Sequence, residues 1–477
     1  MFNFKTEPYA HQLEALKRSY DKRNYAYFME MGCGKSKVLI DNLVWLYEQG
    51  RIDTAVIVAP KGVYRNWETA EIPIHFPEDV PHKVYVWNPN PNKSQARKLR
   101  DSIQERGVLR ILLANVEGFA TKKLPAFVGA FTQGSSFLLG LDESTTIKNP
   151  KAKRTKTLVL FGKKAAYKRI LTGSPVTKSP MDLYAQCAFL NADLLGFKSY
   201  WSFQHRYAMT RTQRMGNHSF TEIIGYRNLP ELTDKLGTFS YRVTKEDALD
   251  LPDKIYTTRE VAMTDDQARH YSTLKGAAIA LLEGGEMVTA PEVMTKLLRM
   301  QQVLCGHLMT DDGELVEVKS NRIQAMLDTI DEMTGKVIIW SRFRYDIKQI
   351  VRELKKVHGP ASVVSYFGDT TDQERQDAIR DFQTGEARFF VGNPQTAGFG
   401  LTLTAATNVI YYANDYNLAT RWQSEDRCHR IGQNHSVLYV DLVVPKTIDI
   451  NIVKALKDKI DLAGVTLGEE VRKWLEV

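Results

Sequence analysis

The segment MEMGCGKSKVLI (29–40) follows an apolar run and contains Gly32, Cys33, Gly34, Lys35 and Ser36 in succession. Two glycines let backbone N–H groups come close to a ligand, the lysine adds a positive charge, and the serine hydroxyl suits a small hard cation. Together these groups fit the phosphates of a nucleotide. The usual spacing has another glycine five places before Gly34, where this chain has Met29. A second cluster, FLLGLDESTTIKN (137–149), ends an apolar run with Asp142 and Glu143. In the same lobe as a phosphate loop, such a pair can divide the work. Asp142 would hold Mg²⁺ through water, and Glu143 would orient and deprotonate an attacking water. A third cluster, RWQSEDRCHRIGQ (421–433), brings together Arg421, Arg427 and Arg430. With Arg427 and Arg430 at i, i+3 on one helical face, the pair could act as arginine fingers on a γ-phosphate, worth roughly 10³–10⁵ in rate. The same residues could equally form an exposed helix salt-bridged through Glu425 and Asp426.

These groups need rigid elements to hold them. The first half alternates helical stretches with short runs apolar on both faces, at 25–29, 54–60, 111–116, 137–143 and 169–173. Strands of a parallel sheet covered by helices read this way. Residues 36–50 have helical spacing of Val38, Leu39, Leu43 and Leu46, with Gly50 as the stop. The second half repeats the design at 336–341, 362–368, 389–393, 408–414 and 437–445. The fold class expected is α/β: two RecA-like lobes, each a parallel sheet flanked by helices. The boundaries expected are 1–179 for an ATP-binding lobe, 180–335 for a helical insertion and bridge, and 336–477 for a second lobe with a C-terminal helix.

Composition narrows the partners. Net charge is +8, divided as +13 over residues 1–250 and −5 over residues 251–477. Residues 151–178 hold nine Lys/Arg and no acid, including Lys163, Lys164, Lys168 and Arg169. A one-sided basic surface suits a polyphosphate partner, though a solvated helix face or a localisation tag reads the same way. The four cysteines are far apart and form no CxxC pair, which argues against zinc and for a reducing compartment. No run is long and apolar enough for a membrane span, and the start lacks a signal-peptide core.

The motifs taken together resemble the SWI/SNF-type ATPases, the double-stranded DNA translocases of helicase superfamily two, from about Pro8 to about Leu462. EPYAHQLEAL is similar to the family's adenine-reading segment, and MEMGCGKS to its phosphate loop, which also lacks the first glycine. VAPKGVYRNW (58–67) resembles motif Ia, DESTTIKN motif II, LTGSP (171–175) motif III, and YRVTKEDALDLPDK (241–254) the bridge into the second lobe. KVIIWSRF resembles motif IV, FGDTTDQERQDAIRDF (367–382) the segment after it, and GNPQTAGFGLTL (392–403) motif V. QSEDRCHRIGQ carries the motif VI string without a change. Two departures stand out. Ser144 and Thr145 follow the acids where the family has DEAH or DEGH, which puts coupling through the histidine in doubt. Pro394 and Gln395 replace a usual Thr and Lys.

The resemblance implies ATP and Mg²⁺ as cofactors, with Gln12 contacting adenine and Gly400 completing the nucleotide site. It implies Thr172, Ser174 and Gln423 as coupling residues, and Lys61, Arg65, Ser341, Arg342 and Thr396 as contacts to duplex DNA. The function expected is DNA-stimulated ATP hydrolysis coupled to translocation on double-stranded DNA by a compact, monomeric motor without reader modules. Its expected place is the cytoplasm of a bacterial or phage-infected cell, or the nucleus of a eukaryotic one. Two other readings stand beside it: a strand-separating or branch-migrating helicase on DNA or RNA, and a DNA-binding adaptor that has lost hydrolysis.

Overall fold

The computed structural model describes residues 4–61, 63–177, 179–215, 218–248, 251–283, 290–310, 312–397, 401–415, 417–454 and 456. They form two compact units, within residues 1–250 and 251–458. The chain therefore divides once, at 250/251, and not at 179/180 and 335/336. The stretch 180–335, expected as a mainly helical insertion, is shared between the units and also contributes strands to both.

The first unit is built on nine strands. They are β1 (Asn24–Met29), β2 (Thr54–Ala59), β3 (His82–Val86), β4 (Leu109–Asn115), β5 (Phe137–Asp142), β6 (Tyr167–Leu171), β7 (Ala208–Met215), β8 (His218–Tyr226) and β9 (Ser240–Val243). Seven form one parallel sheet in the order β3-β4-β2-β5-β6-β1-β9. Every residue of β2 and β5 is buried, as their unbroken apolar runs require. Val56, Leu112, Leu139 and Ile170 pack on one face with Leu183 and Phe203, from the helices Leu183–Leu190 and Tyr200–Tyr207. Each such fully buried aliphatic side chain contributes about 1.5–3 kcal/mol of transfer free energy. Helix α1 (Ala10–Ser19) precedes the sheet, and α2 (Lys35–Glu48) follows β1. In β5, a side chain on Gly140 would meet Leu39 of α2 at 3.1 Å, so the glycine lets helix and sheet pack closely. β7 and β8 pair with each other as an antiparallel hairpin.

The second unit contains β10 (Lys254–Glu260), β11 (His307–Met309), β12 (Leu315–Glu317), β13 (Lys336–Trp340), β14 (Val363–Tyr366), β15 (Phe389–Gly392), β16 (Ala406–Tyr411) and β17 (Val437–Val443). Six are parallel in the order β10-β17-β16-β13-β15-β14. Buried Arg322 stitches this core together. It donates to the carbonyls of Tyr412 (2.8 Å) and Leu442 (2.6 Å) and to Asp449 Oδ2 (2.9 Å). The expected terminal helix begins at 448, and residues 457–477 lie outside the described residues.

Among the described residues, three strands of the two large sheets had no counterpart in the sequence pattern, β3, β9 and β10, nor had the strands of the two small hairpins, β7–β8 and β11–β12. β3, β9 and β10 are all sheet edges. An edge strand buries less of itself, so its sequence is half-polar and lacks an apolar run. Among the described residues, no helix is long and apolar enough to cross a membrane.

Candidate functional site

The missing glycine has a structural explanation. Met29 is the last residue of β1, fully buried and in register with Val243 of β9, so the strand continues through the position where a turn would need glycine. The turn itself uses Gly32 (φ 85°) and Gly34 (φ 81°), both in the left-handed region that favours glycine. Gly34 is further constrained, because a Cβ there would lie 2.1 Å from Gln12 Nε2. Gln12 braces the loop. Its Nε2 donates to the Cys33 carbonyl (3.2 Å) while its Oε1 accepts from Tyr9 N–H (3.1 Å), and His11 Nε2 bonds the same Cys33 carbonyl at 2.9 Å. The Cys33 side chain is buried. Lys35 Nζ donates to the carbonyls of Met29 (3.0 Å) and Glu30 (3.2 Å), which sets its ammonium inside the curl of the loop. Ser36 is partly exposed in the first turn of α2.

Asp142 ends β5, and its carboxylate is fully engaged by neutral donors. Oδ2 accepts from Trp67 Nε1 at 3.0 Å, and Oδ1 accepts from Glu143 N–H at 3.0 Å. Burial pushes this carboxyl up, against the charge of Lys35 and the bond from Trp67. A buried carboxylate under that strain fits a divalent cation. No cluster of three or more His, Cys, Asp or Glu able to hold a metal occurs among the described residues. Asp142 and Ser36 offer oxygen donors of the kind a hard divalent cation takes. Glu143 has φ 50°, a left-handed conformation that costs a non-glycine residue energy and is often found at functional sites. Thr172 Oγ1 points at Glu143 Oε2 from 3.5 Å and accepts from Ser174 N–H at 3.2 Å, which joins motif III to the acid pair. A Cβ on Gly173 would lie 2.9 Å from Met31 N, so the same turn also packs tightly on the phosphate loop.

The Ser144 departure has a structural use. Its buried hydroxyl donates to Gln186 Oε1 at 2.6 Å, and Gln186 Nε2 donates to the Pro175 carbonyl at 2.7 Å, so motif II and motif III share one amide. Four residues of this cluster escaped the sequence reading. Trp67 opens a π-helical turn (Trp67–Glu71), a feature common at functional sites. Gln186 is the second. Arg242 donates to the Phe28 carbonyl (3.1 Å), and Lys245 N–H donates to Glu30 Oε2 (2.8 Å). Trp67, Arg242 and Lys245 lie within the motif Ia and bridge segments, which could have pointed to them, whereas Gln186 lies outside every motif.

In the second unit the expectation for the arginines needs correcting. The helix Leu418–Glu425 ends before Arg427, so Arg427 and Arg430 lie in the turn and bend after it rather than on a helical face. They converge nonetheless: each donates Nη1 to the Leu401 carbonyl, at 3.3 and 3.2 Å. Arg427 is buried and Arg430 half-exposed. Arg421 is a buried network residue. It donates Nε to Glu425 Oε1 (2.7 Å) and Nη1 to Asn414 Oδ1 (2.7 Å) and Asp441 Oδ1 (2.5 Å). Gln423 is buried, and Gln433 ties the carbonyls of Thr404, Ala406 and Cys428 through one amide. Gly400 lies outside the described residues.

The expected strand contacts divide by exposure. Lys61 and Arg65 are exposed, and Thr396 partly so. Arg342 is half-buried, 3.3 Å from Gln301 Oε1 and 3.8 Å from Asp415. Ser341 is fully buried with its hydroxyl donated to Asp346 Oδ2 (2.9 Å), so it serves the fold of its own turn rather than a strand. The basic run divides likewise. Lys163 and Lys164 are exposed, whereas Arg169 is fully buried, giving Nε to Asn42 Oδ1 (2.9 Å) and Nη2 to the Ser19 carbonyl (2.8 Å).

The chain is similar to known proteins along most of its length. The ATP-dependent helicase MG018 of Mycoplasma genitalium is 24% identical over 93% of this chain and 40% of its own length. The chromodomain-helicase-DNA-binding protein 1-like of Mus musculus is 26% identical over 92% of this chain and 47% of its own. The chain thus spans about half or less of the length of the curated relatives it matches. Among solved structures, the Sulfolobus solfataricus SWI2/SNF2 ATPase core in complex with dsDNA matches at 24% identity and a TM-score of 0.43, over 98% of this chain and 95% of that one. Residues 319–432 match the helicase conserved C-terminal domain, residues 11–309 match the SNF2-related domain, and the chain belongs to that SNF2-related family.

Proposed function

We propose that this chain hydrolyses ATP in a DNA-stimulated cycle and uses the cycle to move, as a single-chain motor, along double-stranded DNA. The observation that carries this reading is a convergence at the C-terminal ends of the interior strands β1, β5 and β6. Lys35 sits inside its loop, buried Asp142 feels the charge of Lys35, and Glu143 stands in a left-handed turn beside Thr172. In this reading the loop N–H groups and Lys35 bind the β- and γ-phosphates, and Gln12 contacts adenine. Ser36 and Asp142 would hold Mg²⁺, which would supply charge neutralisation on the nucleotide. Glu143 orients the attacking water and takes its proton. Arg427 and Arg430 meet the γ-phosphate on closure. Lys61, Arg65, Arg342 and Thr396, with exposed Lys163 and Lys164, contact strand phosphates, so recognition is tolerant of sequence. The names of the relatives, an ATP-dependent helicase and a helicase-DNA-binding protein, support the same reading.

The test is ATP turnover by the purified chain with no nucleic acid, single-stranded DNA, duplex DNA and RNA. Duplex should stimulate most, and one rate under all four conditions would overturn the proposal. A second reading, strand separation, has a specific observation behind it. In the β7–β8 hairpin Thr210, Arg211, Thr212, Thr221, Glu222 and Ile224 are all exposed, so the ribbon offers both faces to solvent and could act as a wedge. Release of a labelled strand from a forked duplex would favour it. The adaptor reading would require a broken set, and Lys35, Asp142, Glu143, Arg427 and Arg430 are all present.

A further inference from the structure

Glu425 closes the helix Leu418–Glu425 two residues before Arg427, and it is a hub. Its Oε1 accepts from Arg421 Nε at 2.7 Å. Its Oε2 accepts from Tyr256 Oη at 2.7 Å and Lys254 Nζ at 3.2 Å. Its main-chain carbonyl accepts from Tyr439 Oη at 3.0 Å and from His429 N–H at 3.3 Å. Burial alone would push the Glu425 carboxyl up; the charges of Lys254 and Arg421, with the bonds from Arg421 and Tyr256, overcome it and hold the group below its usual range.

Two of these donors come from one short stretch. Lys254 and Tyr256 open β10, directly after the point where the chain enters the second unit. Lys254 also lies 3.6 Å from Asp426, and His429 Nε2 donates to the Pro252 carbonyl at 2.7 Å. Pro252, Lys254 and Tyr256 therefore grip residues 425, 426 and 429, which bracket Arg427 and adjoin Arg430. Tyr256 is half-exposed at its ring, yet its hydroxyl reaches the buried Glu425. The ring stacks on Tyr439, its register partner on β17, at 5.2 Å and 21°. A stack alone would need no hydroxyl, and an edge strand alone would need no charge.

We propose that Tyr256 and Lys254 are positioning residues for Arg427 and Arg430, acting through Glu425, so that the segment on which the chain enters the second unit sets the arginine geometry. The inference rests on the reading that these arginines act in ATP turnover. It adds that the entry segment controls them, while the residues themselves stay away from the reacting atoms.

The test is Tyr256→Phe, which deletes one O–H donor and keeps the stack, measured in the full chain for kcat, KM for ATP with saturating duplex, and melting temperature. The expected result is a kcat about tenfold lower with KM unchanged, while the lost hydrogen bond lowers the melting temperature by only a few degrees and leaves the chain folded at the assay temperature. Lys254→Met should behave alike, and Lys254→Arg should restore much of the loss. Adding Tyr256→Phe to Glu425→Gln should cost nothing more, because both act through one contact. Ile255→Thr, at an exposed neighbouring position, is the control and should match wild type. A Tyr256→Phe kcat within twofold of an active wild type overturns the proposal, as does a loss accounted for by the fraction of chain unfolded at the assay temperature. A wild type without duplex-stimulated turnover overturns the functional reading itself, which is a separate and recognisable result.

Discussion

The phosphate-loop cluster of the first unit and the arginine cluster of the second hold their charged groups by different means. In the first unit, Lys35 is held by two carbonyls, and Asp142 by an indole and a backbone N–H. In the second, Arg421, Glu425, Asp441 and Lys254 hold one another by charge, all but Lys254 deeply buried. A cradle made by backbone and neutral donors travels with its own loop. A network of buried charges depends on partners far along the chain, and removing one leaves the others uncompensated. The second cluster should therefore be the easier to disturb from a distance.

The largest effects test whether both clusters serve one reaction. Glu143→Gln should keep ATP binding and lose about 10²–10⁴-fold in turnover, read by nucleotide binding and steady-state hydrolysis. Arg430→Ala should likewise spare binding and remove about 10³-fold of the duplex-stimulated rate, with Arg430→Lys restoring little. Stimulation at the wild-type level in the alanine variant would dissolve the pairing of the two clusters. Next comes a direct contrast in stability. Arg421→Met strands Asp441 and Glu425 without their shared partner and should cost about 3–5 kcal/mol in denaturant unfolding. Trp67→Phe removes a neutral donor from Asp142 and should cost about 1–3 kcal/mol, felt as weaker Mg²⁺ dependence in a folded protein. Equal costs for the two would erase the distinction between a backbone-built and a charge-built site.

Smaller effects separate surface from core. Lys163→Ala with Lys164→Ala should lower the slope of log affinity against log salt for duplex by about 2, with stability unchanged. An unchanged slope returns both lysines to a solvated face. The smallest effect is a pH dependence beneath α2. Burial pushes Asp41 up to about 6 against its bond to Lys37, so its contribution is full near pH 4 and is lost as pH rises through 6. Burial, with the charge of Lys37, pulls His75 down to about 4, so its contribution grows as pH rises from 4 toward 6.5. The two slopes oppose each other. Asp41→Asn should uncover the second, seen as a melting temperature that climbs between pH 4 and 6 more steeply than in wild type.

What could be read from the sequence follows the same division. Nine interior strands of the two sheets show as apolar runs because both faces are covered, the edge strand β14 shows because its Val363 and Tyr366 are buried and apolar, and the loop, the acid pair and the arginines show because their chemistry needs fixed spacing. The edge strands β3, β9 and β10 do not show, since a half-solvated strand carries polar residues. Trp67 and Gln186 do not show either, since each reaches its partner across 75 and 42 residues of chain. Charge runs mislead in one respect: Arg169 and Lys164 look alike in a basic stretch, yet one is the buried tie of β6 to Asn42 and Ser19 and the other faces water. Helical spacing misled for Arg427 and Arg430, whose helix stops at Glu425 while both guanidinium groups still find the same carbonyl.

The last strand before the division at 250/251 is β9, followed by the helix Lys245–Ala248, and the first strand after it is β10, each an edge strand laid parallel to its neighbour. β9 is paired along the strand that ends in the phosphate loop, and β10 along the full length of β17. Tension directed along the axes of these two strands would load both lengthwise. A strand drawn along its own axis strains all its ladder bonds together, whereas one lifted at an end gives way bond by bond. Force so directed therefore meets two shear joints, and the one in the first unit lies against the loop expected to hold ATP. In an optical trap, these joints should outlast the β7–β8 hairpin under the same pull.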